Sequence, residues 1–325
     1  MTDPAHHHFV LTEDLFPIMT NWAKDYGFTI PNSRWFSQNH KQLRVAIEDA
    51  LSRGTPDKVV IVDSLPCSYI ASQIKVKINE IESRGDLNVD IGSVVSLDRV
   101  YSLELGNLVC YPIEINRVVD RCGNDLPRSP RPGTLSLFEQ INQFKQSITS
   151  NHIIVVDDGI WTGETLKQVI AELQQQKLNV VAVVAGIKHK EPGKLINLGI
   201  DASKVWAIQT YVSYERPIWD WVCERDFFPG VPFGGRTVNF NDKNIGAYYV
   251  ESNEWLNKWA SINDDGSFRK ICYTLSLNLF REIERLSNKS LLVANMPRLP
   301  LKVALKGVDA EDNFCDILTE EIEKI

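Results

Sequence analysis

The sequence contains little cysteine, and its cysteines are not spaced for a metal site or a redox pair. Six cysteines are scattered along the chain without a Cys-x-x-Cys pair or zinc-finger spacing to histidine. Scattered thiols of this kind are typical of reduced cytosolic proteins, so we expect a cytoplasmic location. The histidine run from His6 to His8 is interpreted as a solvated chain end, because so short a tract is a poor metal ligand set.

The sequence also lacks long apolar runs and an excess of positive charge. Its longest apolar run, Val180 to Ile187, is far shorter than the roughly 20 residues that span a bilayer. We therefore expect no membrane association and no secretory signal. The chain carries 35 Lys and Arg against 42 Asp and Glu, a net charge of -7. This balance argues against nucleic-acid binding, which needs a clustered basic surface.

An alternation of apolar strands and amphipathic helices begins near residue 58. The 325 residues are 43% hydrophobic, which is enough for one large or two modest domains. Strands are expected at 59–62, 89–97, 153–156, 180–187 and 204–210, and a turn is expected at 63–68. Alternation of this kind predicts an α/β fold with a parallel sheet flanked by helices.

The pattern changes on both sides of this region. Residues 1–57 are rich in aromatics and are interpreted as a lead-in subdomain, and 58–239 as the α/β core. Residues 240–325 contain two amphipathic stretches, Phe268 to Leu286 and Phe314 to Ile322, and predict a helical C-terminal extension.

One segment, Ile153 to Thr165, is the most informative in the chain. An apolar strand ends in Asp157 and Asp158, and a Thr-Gly-Glu-Thr turn then opens a helix. In an open α/β sheet, ligands bind beyond the carboxyl ends of the strands, and a helix N-terminus there favours a phosphate. The carboxylates would repel that anion, so they more reasonably accept hydrogen bonds from sugar hydroxyls or help to order Mg²⁺. A phosphorylated ribose satisfies both requirements, because it carries hydroxyls for the carboxylates and a phosphate for the helix N-terminus.

These residues resemble the fingerprint of the type I phosphoribosyltransferases, which bind phosphoribosyl diphosphate (PRPP). The chain departs from that fingerprint at Gly159, where a larger apolar residue is usual, and at Trp161, where a small one is usual. The resemblance implies a type I phosphoribosyltransferase-like parallel sheet with a hood. It also implies Mg²⁺-dependent transfer of 5-phosphoribose from PRPP to a nitrogenous base, with release of pyrophosphate.

The resemblance assigns roles to the fingerprint residues. Asp157 and Asp158 would bind the ribose hydroxyls, and the 5-phosphate would bind Trp161, Thr162, Gly163, Glu164 and Thr165. Mg²⁺ would be held mainly through PRPP and water, with the two aspartates as further candidate ligands.

Two other interpretations fit parts of the segment. A strand ending in two aspartates also occurs in P-loop NTPases, but the chain has no Gly-x-x-x-x-Gly-Lys-Ser/Thr loop. Alternatively, Thr162 and Thr165 serve only as a helix cap for an amphipathic helix.

The resemblance also places a pyrophosphate-binding loop and a flexible lid. The loop after the first core strand comprises Ser64, Leu65, Pro66, Cys67 and Ser68, and a plain strand-to-helix turn is the alternative. The lid would be the proline-rich loop Arg121 to Gly133, in which Arg128 and Arg131 complement the leaving diphosphate. A solvated surface loop is the alternative here.

The base would be bound by residues after the next strands. Candidates are Lys188 at the end of a strand and, in the hood, Trp219, Trp221, Asp226 and Phe227. The aromatic residues are equally compatible with a buried core, and the lysine with a solvated strand end.

Two rival functions remain open at this level. A catalytically weak PRPP- or nucleotide-sensing module would keep the fold without turnover, which the weak pyrophosphate loop favours. A component of a larger assembly, or a homo-oligomer, would use the C-terminal helices as a docking surface.

Overall fold

The computed structural model describes residues 6–56, 58–83, 93–98, 101, 110–190, 197–212, 218–240 and 244–325. The chain forms two compact units. Unit 1 comprises Met1–Leu65, Arg117–Pro127 and Arg216–Ile325, and unit 2 comprises Pro66–Asn116 and Arg128–Glu215. This division cuts through the expected 58–239 core and places the N-terminal and C-terminal segments in one unit.

The elements are numbered here in chain order. The strands are β1 (His6–Glu13), β2 (Val59–Pro66), β3 (Ser93–Ser96), β4 (Cys110–Pro112), β5 (Ile115–Val119), β6 (Asp125–Pro130), β7 (His152–Ile160), β8 (Asn179–Lys190), β9 (Val205–Val212), β10 (Ile218–Cys223), β11 (Arg236–Val238), β12 (Ile245–Ala247) and β13 (Leu299–Pro300). The helices are α1 (Leu15–Tyr26), α2 (Ser33–Gly54), α3 (Cys67–Ser83), α4 (Leu137–Gln146), α5 (Glu164–Gln175), α6 (Asn253–Ala260), α7 (Ser267–Ser287), α8 (Leu301–Leu305) and α9 (Phe314–Glu323).

Unit 2 is built on a five-stranded sheet in the order β4-β3-β7-β8-β9. Every paired neighbour in it runs parallel. The apolar residues 153–156 of β7 are fully buried, as expected for a central strand covered on both faces. The predicted α/β class with a parallel sheet flanked by helices is confirmed. Of the strand expected at 89–97, residues 89–92 lie outside the described part.

The helices of unit 2 form where the apolar spacing predicts them. In α5 the residues buried at helical spacing are Leu166, Val169, Ile170 and Leu173. In α3 the isoleucines at 70, 74, 78 and 81 are buried in the same way. A capping box between Ser136 and Glu139 starts α4.

Unit 1 contains a three-stranded sheet in the order β10-β1-β2. Its central strand is β1, in which Phe9, Val10 and Leu11 are fully buried. His6 to His8, interpreted from the sequence as a solvated chain end, begin this strand, and His7 and His8 pair with β10. Strand β2, expected in the same sheet as the fingerprint strand, neighbours β1 instead.

A second sheet has the order β13-β12-β11-β5-β6. Strand β6 lies within the segment Arg121 to Gly133, which the sequence predicted to be a long loop. That prediction is wrong because β6 is an edge strand, where a proline need not donate a hydrogen bond. Pro127 and Pro130 are accommodated there.

The two predicted C-terminal helices are present as α7 and α9. Helix α7 packs against both α2 and α9. It also contributes Phe268, which meets Phe227 edge to face at 5.8 Å between ring centroids. The C-terminal helices are thus part of the core of unit 1. No helix in the described ranges has the length and apolar content needed to cross a membrane.

Candidate functional site

The acidic pair of the fingerprint lies in the C-terminal half of β7. The strand continues beyond it to Ile160, and Asp157 pairs with Ala185 of β8. Asp157 is buried and Asp158 is half-buried. Because β7 has a neighbouring strand on each side, the backbone that carries both carboxylates belongs to the central part of the sheet.

The electrostatics of this pair favour a hydroxyl donor or a cation over an anion. Burial raises the pKa of Asp157 well above its usual value, and the negative charges of Asp158 and Asp98 raise it further. The amide of Asp158 donates to Asp157 Oδ1 at 3.0 Å and opposes that rise. A carboxylate held at such cost gains from a sugar hydroxyl or a metal ion beside it.

Asp98 is a site residue that the sequence analysis missed. It is buried just beyond β3, the strand beside β7, and its backbone carbonyl accepts from Ser96 Oγ at 2.7 Å. A signal was present, because an acidic residue follows an apolar strand here as it does in the fingerprint. The sequence alone, however, does not show that β3 pairs with β7, so it could not connect Asp98 with the fingerprint.

A glycine turn joins β7 to the N-terminus of α5. Gly163 occupies the N-cap position with φ of 85°, a left-handed conformation that favours glycine. No side chain caps the helix, so the interpretation of Thr162 as a plain cap is wrong. The first-turn amides have no intrahelical acceptor, and they carry the positive end of the helix dipole.

A guanidinium group also lies at this turn. Arg128 donates from Nε to Thr165 Oγ1 at 3.3 Å, and its terminal nitrogen lies 3.6 Å from Glu164 Oε2. Arg131, the other residue of the predicted lid, pairs instead with the buried Glu114, with Nε 3.0 Å from Oε2. The structure thus places one of the two arginines beside the phosphate turn.

Strand β8 packs closely against the backbone of the acidic pair. A Cβ at Gly186 would lie 2.7 Å from the carbonyl oxygen of Asp158 and 2.5 Å from Cγ2 of Ile70. Glycine is needed for this close packing. Lys188 is half-buried and pairs with Ile160 at the end of β7. The strand was expected to end before Lys188, but it continues to Lys190.

The predicted pyrophosphate loop is not a loop. Strand β2 continues through Pro66 and α3 begins at Cys67, so the expected turn at 63–68 is wrong. Ser64 and the buried Leu65 belong to unit 1, whereas Pro66, Cys67 and the exposed Ser68 belong to unit 2. The Ser64 hydroxyl lies 2.8 Å from Nε2 of His40.

The predicted base-binding residues of the hood belong to unit 1. Phe227 is fully buried and meets the rings of Tyr249 and Phe268 edge to face, so it is a core residue and its assignment to base stacking is wrong. Trp221 donates from Nε1 to Thr12 Oγ1 at 2.8 Å. The side chain of Trp219 lies outside the described part of the chain.

Asp226, the remaining base-binding candidate, is tied to a nearby turn. It accepts a hydrogen bond from the Gly235 amide at 2.8 Å, and burial raises its pKa. Its carboxylate therefore already has a structural partner. Lys188 is the one candidate of this group that unit 2 places beside the end of β7.

The acidic pair does not form a complete metal cage. Among the described residues there is no group of three or more His, Cys, Asp or Glu side chains arranged to hold a metal ion. Mg²⁺ prefers an octahedral shell of oxygens and usually keeps several waters. Asp157 and Asp158 therefore fit a metal only together with oxygens from a substrate and from water.

Comparison with known proteins gives partial matches among solved structures. No protein-family model and no curated protein matches the chain. A hypothetical protein from Neisseria gonorrhoeae, crystallised with bound ppGpp, is 13% identical with a TM-score of 0.32, covering 47% of this chain and 82% of its own. A purine phosphoribosyltransferase from Pyrococcus horikoshii Ot3 is 14% identical with a TM-score of 0.28, covering 48% of this chain and 87% of its own.

Proposed function

We propose that unit 2 is a phosphoribosyltransferase that binds PRPP between the acidic pair of β7 and the N-terminus of α5. The observation that carries the proposal is that two carboxylates in the C-terminal half of β7 are followed closely by a helix whose N-cap is glycine. The reaction is Mg²⁺-dependent transfer of 5-phosphoribose to a nitrogen acceptor, with release of pyrophosphate.

The two halves of the turn suit different parts of PRPP. Asp157 and Asp158 accept hydrogen bonds from the ribose hydroxyls, which relieves the unfavourable environment of the buried carboxylate. The first-turn amides of α5 and the hydroxyls of Thr162 and Thr165 donate to the 5-phosphate. Arg128 adds a positive charge beside Thr165.

Mg²⁺ fits this arrangement as a partner of the substrate. Carboxylate oxygens are among the ligands that it prefers, and the negative charges of Asp98, Asp157 and Asp158 attract a cation. Asp157 and Asp158, together with water and the substrate, would hold this ion, which would supply positive charge to offset the negative charge of the pyrophosphate. The protein itself positions the sugar and excludes water, because departure of pyrophosphate needs little covalent help from side chains.

Lys188 is proposed to face the acceptor. It lies beside the end of β7 and is half-buried, so its ammonium group can donate to a carbonyl oxygen on a base. The acceptor class is therefore a carbonyl-bearing nitrogen heterocycle.

A second function is favoured by the junction between β2 and α3. In place of the predicted pyrophosphate-binding loop, the strand passes directly into the helix. A protein that binds PRPP or a nucleotide as a signal needs the ribose and phosphate contacts but no site for a leaving group. The second candidate is therefore a PRPP- or nucleotide-sensing module.

One experiment separates these functions. The protein is incubated with PRPP, Mg²⁺ and a panel of nitrogenous bases while pyrophosphate is measured, and PRPP binding is measured in parallel. Base-dependent release of pyrophosphate is the expected result and supports transfer. Binding without release across the panel supports the sensing module. Absence of PRPP binding contradicts both phosphoribosyl transfer and the sensing of PRPP.

A further inference from the structure

A second cluster of reactive groups lies entirely within unit 1. It consists of His40 from α2, Ser64 from β2, Glu13 at the end of β1 and Glu224 in the 3₁₀ turn after β10. The His40 and Glu224 side chains are buried, with relative exposures of 5% and 4%, whereas Ser64 is half-buried. A buried base behind a partly accessible hydroxyl is the arrangement that an activated nucleophile requires.

Short distances connect Ser64 to His40, and His40 to Glu224. Ser64 Oγ lies 2.8 Å from His40 Nε2, within normal hydrogen-bond range. On the other side of the ring, His40 Nδ1 lies 3.5 Å from Glu224 Oε1. Neither of these two buried atoms has another hydrogen-bond partner within the described structure.

Glu224 is held where it can orient the imidazole ring. Burial raises its pKa, and the interaction with His40 opposes that rise. A carboxylate that accepts from Nδ1–H fixes the tautomer in which Nε2 carries the lone pair. Nε2 can then accept the proton of Ser64, and contacts of this kind are commonly longer before a substrate binds.

We propose that Ser64, His40 and Glu224 form a nucleophilic site that cleaves carboxylic esters. Ser64 is the nucleophile, His40 is the general base and Glu224 is the positioning residue. This inference is independent of the proposed function, because every residue in it belongs to unit 1.

Both halves of the reaction balance. Ser64 Oγ bonds to the ester carbonyl carbon, its proton passes to His40 Nε2, and the alcohol leaves with that proton. Water then attacks the acyl-serine and gives a proton to Nε2, and this proton returns to Ser64 as the carboxylic acid is released. Water is the only co-reactant.

Glu13 indicates the charge of the substrate. Its Oε1 lies 3.3 Å from His40 Nε2, on the same side as Ser64, and its side chain is 32% exposed. A carboxylate at the mouth of the site repels an anionic acyl group. The substrate class is therefore a neutral or cationic ester.

Glu13 also presents a competing arrangement in which Nε2–H donates to Glu13 and the histidine is not a base. In that arrangement Glu13→Gln has no reason to increase the reactivity of Ser64. If His40 is the base, the substitution removes a carboxylate that favours the Nε2–H tautomer over the Nδ1–H tautomer, and reactivity should rise.

The test uses a fluorophosphonate probe, which bonds to an activated serine and releases fluoride. The full chain is incubated with the probe and the modified residue is identified by peptide mass spectrometry. We expect labelling at Ser64, its loss in Ser64→Ala, a drop of at least tenfold in rate in Glu224→Gln, and a faster rate in Glu13→Gln. The matched control is Ser37→Ala, which removes an exposed hydroxyl from α2 and should leave labelling unchanged.

A second measurement follows p-nitrophenyl acetate. A burst of nitrophenolate equal to the protein concentration, absent in Ser64→Ala, is expected if the acyl-serine forms. The site assignment is overturned if the probe labels no serine, if Ser64→Ala keeps its label, or if Glu13→Gln reacts no faster than the wild type. Circular dichroism of each variant verifies that the fold is retained.

Discussion

At the residue scale, the main feature of the fingerprint site is its accumulation of negative charge. Asp157 is buried next to Asp158 and Asp98, and this raises its pKa. The ionised form of such a group costs the folded protein stability, and functional sites are where this kind of cost is commonly retained. The arrangement is explained if a ligand supplies the missing hydroxyl donors or a cation.

The first prediction concerns Asp157→Asn. Because folding raises the pKa of Asp157 above the ordinary 3.8, the folded protein holds this proton more tightly. Stability from the protonated group is fully present below pH 3.8 and is lost as pH rises towards the folded value. The slope reaches about 1.4 kcal/mol per pH unit. Asp157→Asn should therefore be more stable than the wild type at neutral pH, while it loses PRPP affinity.

Urea unfolding between pH 4 and pH 7 measures this difference. Asp201→Asn in the same unit is the control. Hydrogen bonds from Ser203 lower the pKa of Asp201 below its ordinary 3.8, so this variant should be less stable than the wild type by an amount that changes little between pH 4 and pH 7. If the free energy of unfolding of the wild type instead rises with pH relative to that of Asp157→Asn, the ionised acidic pair stabilises the fold and this prediction is contradicted.

The second prediction compares Arg128, which lies in β6, with Arg131, which directly follows that strand. Arg128→Ala should weaken PRPP binding and slow turnover, because it removes a guanidinium group beside Thr165 at the phosphate turn. Loss of one charged hydrogen bond costs about 1.5 to 3 kcal/mol. Arg131→Ala removes the same charge but from a pair with Glu114, and should leave PRPP affinity closer to that of the wild type. Calorimetry of both variants gives the comparison, and equal losses would remove Arg128 from the site.

At the element scale, the sequence predicted those helices and strands that the regular spacing of apolar residues determines. The buried spacing of α5 and the apolar strand β7 were both correct. The C-terminal end of β2 and the existence of β6 were not, because pairing with a neighbouring strand decides them. Gly163 as the N-cap also required the backbone geometry, since the hydroxyl of Thr162 satisfies the sequence rule for a cap equally well.

The third prediction concerns the contact between β8 and β7. Gly186→Ala places a methyl group 2.7 Å from the Asp158 carbonyl, so the backbone of the acidic pair must shift. We expect a loss of about 1 to 3 kcal/mol in stability, and weaker PRPP binding. Thermal unfolding and calorimetry measure both. Gly54→Ala is the control, since a Cβ there meets nothing within 4 Å. Unchanged PRPP affinity in Gly186→Ala would show that PRPP binding does not depend on the close contact between Gly186 and Asp158.

At the scale of the whole molecule, the division into two units was not readable from the sequence. Unit 1 gathers three separate segments of the chain, and its sheet joins β1 to β10, more than two hundred positions away. Pairings over such separations leave no periodic signal. The parallel sheet of unit 2 was predictable because strands and helices alternate along one stretch of sequence.

The central claim is that the turn between β7 and α5 binds the phosphate of PRPP. It is tested most directly by titrating PRPP with Mg²⁺ into the wild type and into Thr162→Val/Thr165→Val, with the exposed Thr274→Val as control. The double variant removes two hydroxyl donors at nearly constant volume, so binding should weaken by about 2 to 4 kcal/mol while the control binds like the wild type. Equal PRPP affinity in all three folded proteins, or no binding by the wild type, would contradict the account.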